Sequence, residues 1–355
     1  MSKARDFHDG RSDGLVPLES LDLDRITSFA GLLRAMSKTA FSGRALGEAL
    51  DVTLAMVRDT GCKVVLTLSG AMTIAKMGKV ISKMIDTGMV QAVVSTGALM
   101  AHGLSEAVGM VHYRHDPRMS DEELFDRGYN RVYDTLEMEA NLNYVEEFSA
   151  KAMDGLGGEA ELSSEIVCRA LGRVLAEDPQ GAGVLRSAFL RNVPVYVPAF
   201  TDSELGLDLS TWAMKRAQAR GVRDPVELLK HIPRYNPYLD LNSFARFTLS
   251  TERLGIFTIG GGVPRNWAQE VGPYVDITNH RLGLDLKPPR YQYAVRICPE
   301  PVHWGGLSGC TYSEGVSWGK FVPSSEGGRF AEVYADATTV WPLLIKGVLE
   351  ELGQA

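Results

Sequence analysis

The chain has no run of about 18 apolar residues, which excludes a membrane-spanning helix. It has only four cysteines in 355 residues, Cys62, Cys168, Cys298 and Cys310. None of them is spaced as a metal-ligand pair, and their density is too low for a disulfide scaffold. Free thiols in a reducing compartment are the expectation, and with them a cytoplasmic protein. The N-terminus Met1-Ser2-Lys3-Ala4-Arg5 leads into polar residues without the apolar core of a signal peptide. Basic charge is not in excess: the formal net charge is -7. A phosphate backbone needs a basic face, so no nucleic-acid partner is expected. There is no internal repeat, no low-complexity linker and no GxGxxG fingerprint. His112, His115 and Asp116 have metal-binding residue types, but their spacing just before a proline reads as solvated side chains, and no metal is expected.

The residues that are present describe an ordinary globular chain, 45% hydrophobic and 23% charged. Residues 1–15 read as a mobile tail and 16–355 as one domain. Six runs of strand length alternate with helical patterns. Cys62–Leu68 ends in Ser69-Gly70, a helix is expected over Thr73–Asp86, and a second buried run, Met89–Val94, ends in Ser95-Thr96-Gly97. This βαβ pattern predicts a doubly wound, mostly parallel α/β sheet. The stretch from His112 to Gly157 reads as polar and helical in two pieces. Further strands are expected at Val193–Val197, Leu254–Ile259, Tyr293–Ile297 and Glu332–Tyr334, with 275–290 as a proline-containing excursion. The small-residue turns, including Gly260-Gly261-Gly262, sit where strand ends meet ligands, though such residues serve equally well in plain sharp turns. Asp202 and Glu204 cluster in the loop after the third strand, a place for binding an ammonium group or for simple turn and cap chemistry.

The most chemically loaded stretch is Glu314-Gly315-Val316-Ser317-Trp318-Gly319-Lys320. A carboxylate, an indole and an amine lie within seven residues, and a lysine so placed suits attack on an imine or carbonyl carbon.

Glu314–Lys320, Val333-Tyr334-Ala335-Asp336-Ala337, Pro198-Ala199-Phe200-Thr201-Asp202 and Ile259–Val263, in that combination, resemble the deoxyhypusine synthase family, which includes homospermidine synthases. The similarity runs from about Leu32 to the C-terminal helix. It implies a Rossmann-like α/β fold with helical elaborations. It also implies an NAD-dependent aminobutyl transferase acting on spermidine or another polyamine through a Schiff base on Lys320, with Glu314 and Trp318 beside it. Asp202, Asp208, Asn266 and His102 fall at substrate-binding positions. Ser69, Gly70, Ser95, Thr96, Gly97, Gly260, Gly261, Gly262, Asp336 and Ala337 fall at NAD-contacting ones. A homotetramer with active sites between paired subunits is implied too.

Several expected acids are absent. Ala101 and His102 stand where paired acids are usual, Leu207 where an acid is, with Asp208 one place on, Asn266 where a histidine is, and Leu307 where an acid is. The loop around Trp304 resembles the deoxyhypusine synthase-like branch found in prokaryotes. The expected activity is therefore aminoalkyl transfer from a polyamine or related small amine, with a free amine or a protein lysine as acceptor. Homospermidine synthase-like transfer to putrescine is the alternative within the enzymes, and an NAD-binding sensor without turnover is the alternative outside them. A sirtuin-like deacylase is set aside, because neither its cysteine set nor its glycine fingerprint is present.

Overall fold

The computed structural model describes residues 5–157 and 160–354. The first four residues of the predicted tail lie outside the described residues. The central sheet is built from β1 (Cys62–Leu68), β2 (Ala92–Ser95), β6 (Val195–Tyr196), β7 (Arg253–Ile259), β8 (Tyr291–Ile297) and β9 (Arg329–Val333). Their order is β6-β2-β1-β7-β8-β9, and every neighbouring pair is parallel. The chain thus starts in the middle of the sheet, winds outward to one edge, and returns to wind to the other. This is the doubly wound pattern the alternating sequence predicts, with its reversal between β1 and β7.

A parallel sheet needs cover on both faces, and the strands are apolar on both. Along β1, Val64, Leu66 and Leu68 enter one core and Val65 the other. β7 does the same, with Phe257 and Ile259 on one side and Leu254 and Ile256 on the opposite side. The larger core receives α1 (Phe29–Met36), α2 (Phe41–Arg58), α3 (Gly78–Asp86), α4 (Gly97–Ala107), α6 (Glu139–Asp154), α7 (Ser164–Ala176), α8 (Val184–Leu190), α9 (Glu204–Ala219) and α15 (Ala337–Glu351). The smaller one receives α11 (Pro237–Leu249), α12 (Gly262–Gln269), α13 (Val271–Leu282) and α14 (Tyr312–Ser317). Two short helices, α5 (Asp121–Asp126) and α10 (Pro225–Leu228), complete the set.

The expectation for the middle of the chain needs correction. Between His112 and Met138 the chain forms a three-stranded antiparallel sheet, β3 (Tyr113–Arg114), β4 (Tyr129–Val132) and β5 (Thr135–Met138), in the order β3-β5-β4. Tyr133, at a φ of 53°, turns β4 back onto β5 with one intervening residue, Asp134. A non-glycine residue in that region is no hairpin signal by itself, so the turn was hidden. Of the two expected helices the first is cut to the six residues of α5, capped by Ser120, and the second forms as α6. Likewise 275–290 is not all excursion, since α13 continues to Leu282 before Gly283 closes it in the left-handed region. The third strand contracts to Val195–Tyr196, because β6 is an edge strand with β2 as its one neighbour.

Thr67 and Thr258 are both fully buried on paired strands, and their hydroxyls hydrogen-bond at 2.9 Å. Thr67→Val alone leaves a buried hydroxyl without this partner and is expected to lower stability by about 1–3 kcal/mol. The double variant with Thr258→Val is expected to lose less than the sum of the singles. Urea denaturation of the three variants measures this.

Candidate active site

At the reversal of the winding, the ends of β1 and β7 are tied together. Ser69 N–H donates to Ile259 O at 3.1 Å, and Gly261 N–H donates to Ser69 Oγ at 2.9 Å. Gly260 holds a φ of 74°, a conformation suited to glycine. At Gly261 a Cβ would fall 2.5 Å from the Ser308 Cα, so the turn and the Trp304–Gly309 loop close on each other only without one. On the neighbouring strand Thr96 N–H donates to Leu68 O at 3.3 Å. The structure therefore brings Ser69, Gly70, Ser95, Thr96, Gly97, Gly260, Gly261 and Gly262 to the C-terminal edge of three adjacent strands. Asp336 and Ala337 follow β9 at the sheet edge, where the Asp336 carboxylate caps α15 by accepting from Thr338 N–H.

From Gly262 the chain enters α12, which carries the turn toward the lysine. Asn266 and Glu270 are four residues apart and share one side of it. Both meet Lys320: its ammonium donates to Asn266 Oδ1 at 3.1 Å and to Glu270 Oε1 at 2.7 Å. The local chain explains how Lys320 reaches them. Thr311 caps α14 by accepting from Glu314 N–H, and the helix stops at Gly319, whose φ is 70°. Lys320 N–H closes the end on Gly315 O, and Lys320 O accepts from Tyr291 N–H of β8. The next residue, Phe321, is fully buried in the smaller core. That anchor turns the Lys320 side chain inward, 10% exposed, while Trp318 stays 64% exposed. The amine still lies 5.8 Å from the Trp318 ring centroid, in reach of its π face. The neighbouring Cys310 thiol is pushed up by burial and by a hydrogen bond with Glu314.

Of the residues the sequence singled out, Asn266 and Trp318 lie beside Lys320, while Glu314 is exposed in the first turn of α14. Glu270 was missed, although its place one turn beyond Asn266 was the available signal. Two buried arginines were missed as well. Arg265 of α12 and Arg296 of β8 both donate to Ser308 O and Cys310 O, and Arg296 also pairs with Glu332. They hold the glycine-rich loop under the turn. Charged donors to carbonyls are the stronger kind of hydrogen bond, which suits a clamp on a loop without its own regular structure.

The remaining expected substrate residues lie elsewhere. Asp202 is exposed in the turn before α9. His102 is on α4, hydrogen-bonded to Glu137 at 3.1 Å. Glu204, at the start of α9, has its pKa raised by burial and by Glu139. Asp208 was expected to stand in for the acid missing at Leu207. One helical position turns it by about 100°, and the structure reverses the two: Leu207 is exposed, and Asp208 is buried with one carboxylate oxygen lacking a partner. Burial, Glu204 and Glu146 push Asp208 up to about 7.

A family model described as deoxyhypusine synthase matches residues 31–348. The chain is 33% identical over 327 residues to "probable deoxyhypusine synthase 2" of Methanosarcina acetivorans, covering 91% of this chain and 87% of that one. It is 29% identical over 334 residues to a deoxyhypusine synthase-like protein of Elusimicrobium minutum, covering 92% and 82%. A solved chain from Entamoeba histolytica described as a deoxyhypusine synthase superposes with a TM-score of 0.57 at 13% identity, over 93% of this chain and 96% of that one, which is a likeness of fold. The chain belongs to the deoxyhypusine synthase family. That family is one of aminobutyl transferases, and no helix among the described residues is long and apolar enough to cross a membrane.

Asp208 yields a pH prediction. An acid with a higher pKa folded than unfolded keeps its proton in the native state. Its stability contribution is therefore full below the unfolded value of 3.8 and falls as the pH rises to about 7. Asp208→Asn is expected to match the wild type near pH 4 and to exceed it by about 2 kcal/mol at pH 8. Thermal denaturation across that range reads the difference.

Proposed function

We propose that this chain is an NAD-dependent aminoalkyl transferase in which Lys320 carries the aminobutyl group of a polyamine as an enzyme imine. The observation that carries the reading is the Lys320 amine, nearly enclosed and bonded to Asn266 and Glu270, with the Trp318 ring alongside. A carboxylate at 2.7 Å from an amine is placed to take its proton, and the neutral amine is the nucleophile. Lys320 Nζ then bonds to the imine carbon of the oxidised donor while that carbon's bond to the departing diamine breaks. Glu270 returns the proton to the leaving nitrogen. A second amine displaces Lys320 by the same exchange. Trp318 offers its face to the cationic substrate, and Glu314, on the same short helix, offers a carboxylate to an ammonium end.

The turns at Ser69-Gly70, Ser95-Thr96-Gly97 and Gly260-Gly261-Gly262, with Asp336-Ala337 beyond, suit NAD. The support is their place at the C-terminal ends of adjacent parallel strands, at the winding reversal where α12 begins. When bound, NAD supplies the hydride acceptor that makes the donor amine an imine and the donor that reduces the product. Trp304, Leu307 and Trp318 stand 71%, 48% and 64% exposed. Exposed apolar side chains of this size favour burial against another subunit, in keeping with a homotetramer, and the reading places the enzyme in the cytoplasm. The acceptor is either a free diamine such as putrescine or a protein lysine.

Incubation with NAD and spermidine followed by borohydride is expected to leave a mass adduct on Lys320, absent in Lys320→Ala. Absence of an adduct with every polyamine offered would refute the mechanism. Glu270→Gln removes the proton acceptor and is expected to lower kcat by about 100-fold or more with KM less affected, in an assay of NADH formation. Labelled amine products and labelled protein, measured separately, identify the acceptor.

A further inference from the structure

Outside the Lys320 site, four cations meet in one cleft. It measures about 660 Å³, the size of a small-molecule pocket, and opens at the N-terminal edge of the central sheet, opposite the glycine turns. Lys63 comes from the start of β1, Gln91 from just before β2, and Asn192 from just before β6. Arg169 of α7, Arg191 at the end of α8 and Arg246 of α11 complete the walls. The formal net charge of the chain is -7, yet no acid is among the described residues that line this cleft.

These cations are only partly neutralised. Arg169 Nη1 lies 3.8 Å from Glu165 Oε1, and its Nη2 donates to Asn192 Oδ1 at 3.0 Å. Arg191 donates to the Asp86 carbonyl and Lys63 to Ser250 Oγ at 2.9 Å, neutral acceptors that leave the charge in place. The Lys63 ammonium also lies 4.8 Å from the Phe247 ring centroid, which steadies it without cancelling it. The Arg246 guanidinium forms no hydrogen bond or ion pair among the described residues. Like charges gathered in a concave surface repel one another, and a bound anion relieves the repulsion. A second cleft along the same edge, of about 580 Å³, gives the contrast. Glu252 and Asp285 stand among its cations, Arg253 pairs with Asp59, and Arg290 pairs with Glu326.

We propose that the cleft formed by Lys63, Arg169, Arg191 and Arg246 is a binding site for a small molecule that carries adjacent phosphates. Guanidinium forks bind phosphate oxygens in pairs, and Lys63 adds a compact point charge. Several uncompensated cations suit a group with several adjacent negative charges better than a single carboxylate. In the floor, the Tyr196 and Ser243 hydroxyls share one hydrogen bond at 3.0 Å, so one of the two keeps a proton to donate. The negative charge of the whole chain disfavours a long polyanion, which keeps the ligand small. The Tyr196 ring packs against Trp267 of α12, with centroids 5.5 Å apart. The cleft and the Lys320 site therefore touch one helix without sharing a residue. Binding here involves no covalent step and is independent of the aminoalkyl-transfer reading.

Isothermal titration calorimetry of the full chain with inorganic pyrophosphate tests the site without any turnover. Saturable binding of one pyrophosphate per chain is expected, weakened by added salt. Citrate is expected to bind at least about tenfold more weakly. Arg191→Gln combined with Arg246→Gln is expected to weaken pyrophosphate by about 30-fold or more, and Lys63→Gln alone by about tenfold. Arg44→Gln combined with Arg118→Gln removes the same charge from exposed positions elsewhere and is expected to leave binding unchanged. All the substituted positions but Lys63 are exposed, and unaltered thermal unfolding checks that each variant keeps the fold. Displacement of pyrophosphate by ATP assigns the site to a nucleotide, and displacement by tripolyphosphate alone assigns it to an inorganic polyphosphate; either supports the shared chemistry. No saturable binding, equal losses in the two double variants, or citrate held as tightly as pyrophosphate would each overturn the proposal. Undiminished binding in the Arg191 and Arg246 double variant would place the anion elsewhere, the glycine turns included, and overturn it as well.

Discussion

The bond between the Lys320 ammonium and the Glu270 carboxylate is the contact on which the rest of the proposed chemistry depends. An amine held this closely has one partner that both fixes its position and can take its proton. Everything around the pair serves to keep it in place. Gly319 lets α14 end in a tight cap, Phe321 buries the chain immediately beyond, and β8 holds the Lys320 carbonyl. The amine therefore has little freedom to lose when a substrate arrives, which is the entropic advantage of a preset nucleophile.

α12 joins the two halves of the site. It begins at the glycine turn on the winding reversal and, one to two turns later, presents Asn266 and Glu270 to the lysine. A displacement of that helix would move the glycine turn and the Glu270 carboxylate together. Arg265, on the same helix, reaches the carbonyls of the Ser308–Cys310 loop and couples a third element to it. Two fully buried guanidiniums beneath a glycine-rich loop are a costly arrangement unless that loop must stay put.

The polar side of the molecule around α4, α6 and α9 follows a different logic. Leu207 is exposed at the start of α9 while Asp208 beside it is turned inward, so the helix withholds that carboxylate from solvent. On α4, His102 is held by the buried Glu137 carboxylate.

The alternation of apolar runs with helical periods determined the parallel doubly wound sheet, because strands buried on both faces must be apolar throughout and each crossover must be a helix. The stretch from Glu314 to Lys320 stood out through its match to the family together with the small-residue turns on strand ends, since a lysine on a glycine turn is by itself most often a plain surface residue. The hairpin at Tyr133 was not legible, since its turn uses a conformation that no residue type there signals. Nor were the partners of a charge: Glu270 is 50 residues from Lys320, and Glu137 is 25 from His112 and 35 from His102. Pairing of charges over such spans is set by the packing of helices on a sheet, and local patterns carry no record of it. The sequence by itself determined the layered architecture and singled out Lys320, while only the tertiary structure decided which carboxylate faces the lysine and which faces the histidine.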